Sequence, residues 1–409
     1  MTEAAEGSVV RRLYWTSFAV RFSVGLLAWV LTDVFKLPLM EDAKEYSRLA
    51  AETAQSWLGG PPSFWLADAI ESGRQAWLMV ATLAVFYSFT GGTEVLPLAL
   101  AGYNLLTALT PVLAYRATRR LGAPPAGALA AGRLVAFSPA FAFWSGALYK
   151  EGLVLIALFL VVEHGLRLQQ GFRPGSLLVL GLSLVALFGL RFYMGTILAG
   201  ALVAGIALGR QGRQSSGGVP PVLRQVVLLV LLVAVFSLLG VTGRVEKMLS
   251  GDLEENLGQI NSSRRDLASY GSGYLSDADV STPDAALRFL PVGLAYFLAV
   301  PLPWHFGSFR QNLAIPETLF WITVVYPRAL RGALRGARAN PQGTLFLVLA
   351  SAAICCFYAL FVGNIGTAYR LRIQVWAIWA LLAGWGWSRA AAVPPPPPPP
   401  GPPGTPPPP

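Results

Sequence analysis

With 409 residues, 54% of them hydrophobic and only 13% charged, the chain is too apolar for a water-soluble protein of this length. Its net charge of +10 is not a nucleic-acid footprint, because the Lys and Arg residues punctuate apolar blocks as the positive-inside rule produces. The histidines, His164 and His305, fall on opposite sides of the membrane in the threading below, and no P-loop, GxSxG or dinucleotide fingerprint occurs, so zinc, haem, ATP-driven and redox chemistry are not indicated.

The amino terminus reads as a signal anchor, with Arg11 and Arg12 ahead of an apolar run and no small-residue cleavage site after it. Ten apolar runs without period-2 alternation are the spanning candidates, which predicts an all-α polytopic bundle rather than a barrel. They are Thr16–Thr32, Val95–Tyr115, Ala126–Trp144, Gly152–Leu168, Ser176–Leu190, Met194–Leu208, Val226–Val241, Leu313–Tyr326, Thr344–Val362 and Ile373–Trp387. Several are shorter than the ~20 residues of a full crossing, so their helices extend into flanking polar residues.

Two more runs, Ala76–Phe89 and Leu287–Pro303, are ambiguous. Skipping both, with the amino terminus inside, puts four basic loops in the cytoplasm. These carry Arg116, Arg119 and Arg120; Arg167 and Arg173; Arg210 and Arg213; and Arg328, Arg331, Arg335 and Arg338. Both runs are therefore expected to lie along the outer face as interfacial or re-entrant helices, the second broken by Pro291, Pro301 and Pro303. In this threading all but Glu3, Glu6 and Glu163 of the 21 acidic residues fall outside.

The domain reading is a transmembrane unit over 1–390 with long external segments at 33–94 and 242–312, and a polyproline tail at 391–409. The tail is expected to be extended or disordered in the cytoplasm, where a partner could dock. Cys355 and Cys356 read as small buried residues, and Arg21, inside the first crossing, needs a polar partner or a wet path. The expected location is a bacterial plasma (inner) membrane, with both termini cytoplasmic.

Three constellations on the outer side carry chemistry-bearing groups. In Glu41–Ala50, Asp42, Glu45 and Tyr46 share a helix face. They suit a general base or metal ligand oriented by a tyrosine, although Asp42 with Glu45 is equally a capping box that starts a helix. Lys150 and Glu151 stand where an apolar helix begins, as an interfacial ion pair or as a contact for a lipid phosphate. Arg191, Arg370 and Arg372 lie at outer helix ends, where topology does not ask for arginine and where guanidinium forks suit phosphate oxygens. For Arg191, pairing with an outer acid is the equal alternative.

Four segments together resemble the GT-C superfamily of membrane glycosyltransferases, including the bacterial relatives of protein mannosyltransferases. They are the D-A-x-x-Y-x-x-L-A stretch from Asp42 to Ala50, FYSFTGGTEVLPLALAGYNLLTALTPVLAYRATRRLG, FSPAFAFWSGALYKEGLVLIALFL and GNIGTAYRLRIQ. Their order and spacing cover most of the chain. The resemblance implies transfer of a sugar from a polyprenyl-phosphate carrier in the membrane lipid to a lipid, glycan or protein acceptor on the outer face. It would make Asp42 the catalytic aspartate and Lys150, Arg370 and Arg372 candidates for the carrier phosphate, with Glu151 assisting or merely pairing with Lys150. From the constellations above, Glu45 joins the catalytic candidates, and Tyr46 and Arg191 join those for the lipid phosphate.

Some GT-C enzymes use a divalent metal, so Mg or Mn is an open cofactor, with no metal ligand assigned. The Glu41–Asp42 order departs from the Asp–Glu of the protein mannosyltransferases, so their acceptor class does not carry over. The competing readings are a transporter or polymerase of lipid-linked saccharides, or a non-catalytic membrane subunit; the absence of an internal repeat weighs against a secondary transporter.

Overall fold

The computed structural model describes residues 3–37, 39–71, 76–171, 173–208, 253–305, 307 and 309–387, and among these no strand is formed. The expected crossing Val226–Val241 and the polyproline tail lie outside the described residues.

The first half comprises α1 (Glu3–Asp33), α2 (Glu41–Trp57), α3 (Trp65–Glu71), α4 (Trp77–Ser88), α5 (Leu96–Thr107), α6 (Leu109–Arg120), α7 (Pro125–Phe137), α8 (Pro139–Gly146), α9 (Glu151–Gln170) and α10 (Pro174–Leu208). The second comprises α11 (Leu253–Ala268), α12 (Pro283–Ala299), α13 (Phe309–Phe320), a π-turn (Trp321–Val325), α14 (Tyr326–Ala339), α15 (Pro341–Phe361) and α16 (Ile365–Trp387). Proline in the first turn starts several of these, where its missing N–H costs nothing. Thr282 and Asn340 cap α12 and α15 by accepting from the backbone amides of Ala285 (3.3 Å) and Gly343 (3.0 Å).

Four helical stretches are long and apolar enough to cross a membrane: Ala5–Asp33, Leu96–Arg120, Pro174–Leu208 and Pro341–Phe361. The run Ala126–Trp144 is a fifth if α7 and α8, bent by 58° at Ser138, count as one. The expected ten is therefore not reached on length and composition. Helices α9, with Glu151, Glu163 and Arg167, and α16, with Arg370 and Arg372, are not among these stretches. Helix α4 has 12 residues, about 18 Å, too short for a ~30 Å hydrocarbon core. Instead it packs on the stripe Ala43, Ser47, Ala50 and Ala54 of α2 through Met79, Val80, Leu83 and Tyr87.

The long stretch α10 folds back on itself. Arg191 is extended (φ −154°, ψ 89°) between two helical arms. The first arm starts just past the end of α9 and climbs to its beginning, where Arg191 meets Glu151. The second descends again, so that Leu202 packs against Gly165 and Gly205 against Phe346. A straight helix would carry Leu202 about 16 Å beyond Glu151 instead. Ser176–Leu190 and Met194–Leu208 thus fall on separate arms of this stretch.

Central to the bundle is α16, buried from Leu371 to Trp385 apart from half-buried Trp379. Trp376 stacks on Trp321 with ring centroids 4.3 Å apart. Arg21 is fully buried and donates to Ser17, to the hydroxyls of Ser145 (2.8 Å) and Thr110 (3.0 Å), and to the Val135 carbonyl (3.0 Å). That meets its need for partners without a carboxylate. Glu317, placed with the outer acids by the threading, is buried against the start of α8: it accepts from the Ala140 amide (2.9 Å) and from Ser138 and Tyr369. A carboxylate at a helix N-terminus satisfies amides that have no intrahelical partner, which stabilises the α7–α8 bend. Both cysteines are free, Cys355 buried and Cys356 half-buried.

The two ends of the bundle differ in charge. At one end, Arg119 lies 3.7 Å from Glu6, Gln170 reaches the Arg120 carbonyl (3.1 Å), and Arg335 reaches the end of α16 at the Trp385 carbonyl (3.4 Å). At the other end lie Asp42, Glu151, Arg191 and Arg370.

Candidate functional site

The site begins where α1 hands over to α2. Asp33, at the end of α1, accepts from Trp29 (2.9 Å) and pairs with Lys44 (2.9 Å), which anchors the start of α2. Met40 is the residue before α2 and no side chain caps the helix, so Asp42 and Glu45 do not form the capping box that their spacing allows. Asp42 and Tyr46, one turn apart, both line a cavity of about 420 Å³. Burial, then the nearby Glu151 carboxylate, pushes the Tyr46 phenol up to about 12. Glu45 turns outward to Arg48 (2.7 Å) and lies outside the cavity.

The turn between α8 and α9 supplies the second wall. Leu148 sits there with φ +58°, a region that side-chain-bearing residues rarely adopt, and is fully buried. The strained turn is held by the Tyr149 hydroxyl, which donates to the Leu39 carbonyl (2.6 Å), and by Tyr103, which donates to the Tyr149 carbonyl. Lys150 and Glu151 follow at once. Glu151 is completely buried, and Arg191 and Arg370 both donate to it: Arg370 through Nε (2.8 Å) and Nη2 (3.1 Å). The remaining Arg370 nitrogen, Nη1, reaches Asp42 at 2.5 Å. The Arg370 guanidinium also lies over the rings of Tyr149 (4.7 Å) and Trp144 (5.3 Å), a position that favours a partly desolvated cation.

Lys150 is 9% exposed, lines the same cavity, and makes no ion pair or hydrogen bond to the described residues. It is not the partner of Glu151. Burial, then the charge of Arg191, lowers its ammonium to about 7. The cavity therefore holds three basic side chains against the carboxylates of Asp42 and Glu151, which Arg370 already engages, and against Asp266 on the far wall. This donor set does not suit a divalent cation: the two inner carboxylates are matched by guanidinium groups, and among the described residues no three His, Cys, Asp or Glu side chains gather to hold a metal. An anion fits it better.

Of the residues singled out in the sequence, Asp42, Tyr46, Lys150, Glu151, Arg191 and Arg370 come together, whereas Glu45 and Arg372 do not. Arg372 follows Arg370 by two residues, about 200° around the helix. It is fully buried on another face of α16, donating to the Phe297 carbonyl (2.6 Å) and the Val300 carbonyl, between the rings of Phe297 and Trp376. Ser263 and Asp266 of α11, Tyr270 just beyond it, Phe361 and Thr367 also line the cavity. Nothing in the spacing of these residues pointed to the site; the only sequence signal was the polar character of the long segment 242–312.

Glu151 sets the clearest energetic prediction. Removing one partner of a buried ion pair costs about 3–5 kcal/mol, because the other charge is left buried without compensation. Glu151→Gln should lower the unfolding temperature of the detergent-solubilised protein by many degrees, while Glu45→Gln, on the exposed face of α2, should leave it unchanged. Equal melting curves for the two variants would remove Glu151 from the centre of the site.

No protein-family model matches the chain, and no curated protein matches it.

Proposed function

We propose that this protein is a membrane glycosyltransferase that moves a sugar from a polyprenyl-phosphate carrier to a hydroxyl-bearing acceptor. The observation carrying this reading is the meeting of Asp42 with Lys150, Arg191 and Arg370 in one cavity at the end of an apolar helical bundle. The basic residues at the opposite end of the bundle support an orientation with that end in the cytoplasm, and hence the cavity on the outer face of a bacterial plasma membrane. On this reading α4 and α12 lie at the outer surface, and about ten segments cross in the intact chain.

In the transfer itself, Asp42 accepts the proton of the acceptor hydroxyl as its oxygen bonds to the anomeric carbon of the sugar. The bond from that carbon to the phosphate oxygen breaks, and its electron pair leaves with the phosphate. Lys150 and Arg370 offset the charge that builds on the leaving group, the step at which fixed cations contribute most. Arg191 and Glu151 hold Arg370 in place. Tyr46 lies beside Asp42 with a phenol that stays protonated, able to donate to a sugar or phosphate oxygen.

A positioned general base is worth about 10²–10⁴ in rate. Asp42→Asn should therefore reduce transfer from a synthetic short-chain polyprenyl-phosphate sugar at least about 100-fold while the donor still binds. Wild-type turnover in this variant would refute the role given to Asp42. Donor binding should also depend on Lys150, whose ammonium lies near 7 in the free protein. Because the group is charged only below that value, affinity for a phosphodiester, whose own charge does not change, should fall as pH rises from about 6 to about 8.5. Titration calorimetry should show that decline in the wild type and a flat profile in Lys150→Met; identical profiles would contradict it.

A further inference from the structure

The three nitrogens of Arg370 do unequal work. Nε and Nη2 grip Glu151 in a two-point fork at 2.8 and 3.1 Å, and Glu151 is entirely buried. Nη1 makes one bond, to Asp42, whose side chain is 49% exposed against 18% for Arg370. The fork on Glu151 is the anchored half of the interaction, since breaking it strands a buried carboxylate. The Asp42 contact is the half that solvent reaches and a ligand can displace.

We propose that Arg370 is an exchangeable clamp: a phosphate entering the cavity takes over Nη1, and the exchange releases Asp42. This rests on the glycosyltransferase reading for the use made of the released carboxylate, but the exchange itself concerns anion binding alone. The chemistry favours it. A phosphate oxygen is as good an acceptor for a guanidinium nitrogen as a carboxylate oxygen. It also gains Lys150, a residue only 9% exposed that lines the same cavity with no hydrogen-bond acceptor among the described residues. Asp42 gives up one bond and turns to a water-exposed position where its oxygens are open to a hydroxyl proton.

The clamp imposes an order. With the cavity empty, an Asp42 oxygen is engaged by Arg370 Nη1. Once the phosphate is seated, the base is free and the leaving group already has its cations. Donor binding thus precedes acceptor activation, and the carboxylate does not face the incoming anion as an unpaired negative charge.

The test is a double-mutant cycle on the full-length protein in detergent, with methyl farnesyl phosphate as the calorimetric probe. This phosphodiester carries one charge and no sugar, so binding is read without transfer. If Asp42 competes for Nη1, Asp42→Asn should bind the probe about tenfold more tightly, the scale of one charge-assisted hydrogen bond. Asp266→Asn removes the same charge from the wall of the same cavity, and Asp266 makes no bond to Arg370. It should change affinity less than about threefold, within ordinary screening of an exposed charge. In an Arg370→Lys background, which keeps a cation beside Glu151 but replaces the three-nitrogen fork with a single ammonium, the Asp42→Asn gain should shrink to that of Asp266→Asn. Size-exclusion profiles identical to wild type would show that Arg370→Lys folds.

Equal gains from Asp42→Asn and Asp266→Asn, or a gain that survives Arg370→Lys, would overturn the clamp and leave simple charge repulsion, with the transferase reading intact. No binding by wild type or any variant would overturn both.

Discussion

The arrangement of this site depends on a charge that water cannot reach. Glu151 opens α9 with its carboxylate completely buried, and an isolated buried carboxylate costs far more than a small fold can offset. Two guanidinium groups from distant parts of the chain compensate it, Arg191 from the fold in α10 and Arg370 from the start of α16. That requirement fixes where α10 must reverse, because Arg191 reaches Glu151 only if the first arm ends level with the start of α9. It also fixes the depth of α16, and so the height of Asp42's partner. Through Arg370 the same pairing extends to α2. One buried acid thereby sets the positions of four elements around the cavity.

A second constraint works through the backbone. Leu148 occupies a left-handed conformation in a fully packed turn, and Tyr149 and Tyr103 hold that turn from both sides. The consequence is an ammonium, Lys150, directed at the cavity without an acceptor among the described residues, in surroundings that disfavour its charge. Strain and an unsatisfied cation persist together only where the surrounding structure over-determines them, and they favour a ligand that supplies the missing negative charge.

Much of the site was legible because it follows helix periodicity and sidedness. Asp42 and Tyr46 are one turn apart, Lys150 and Glu151 stand at the head of an apolar helix, and Arg191 interrupts two apolar runs at their junction. Each of these is a local pattern. The failures have equally local causes. Arg372 shares with Arg370 a place near the start of α16, but residues two apart on a helix point to different sides, and its guanidinium serves the carbonyls of Phe297 and Val300. Glu45 shares an edge of α2 with Asp42, yet it faces Arg48 instead of the cavity. The contribution of α11 depends on where a long polar segment comes to rest, which no periodicity encodes. The number of crossings was the least legible feature. Helices such as α9 and α16 turn their polar residues toward one another inside the bundle, so hydropathy alone neither includes nor excludes them.

The central claim is that the cavity lined by Lys150, Arg191 and Arg370 seats a lipid phosphate beside Asp42. A structure of the full-length protein in lipid nanodiscs with a non-hydrolysable polyprenyl-phosphate sugar bound tests it most directly. The account predicts the phosphate within hydrogen-bond reach of Lys150 and Arg370 Nη1, the sugar beside Asp42 and Tyr46, and the isoprenyl chain leaving the cavity toward the bilayer. A phosphate bound elsewhere, with Arg370 still on Asp42 and the cavity filled only by water, would contradict it.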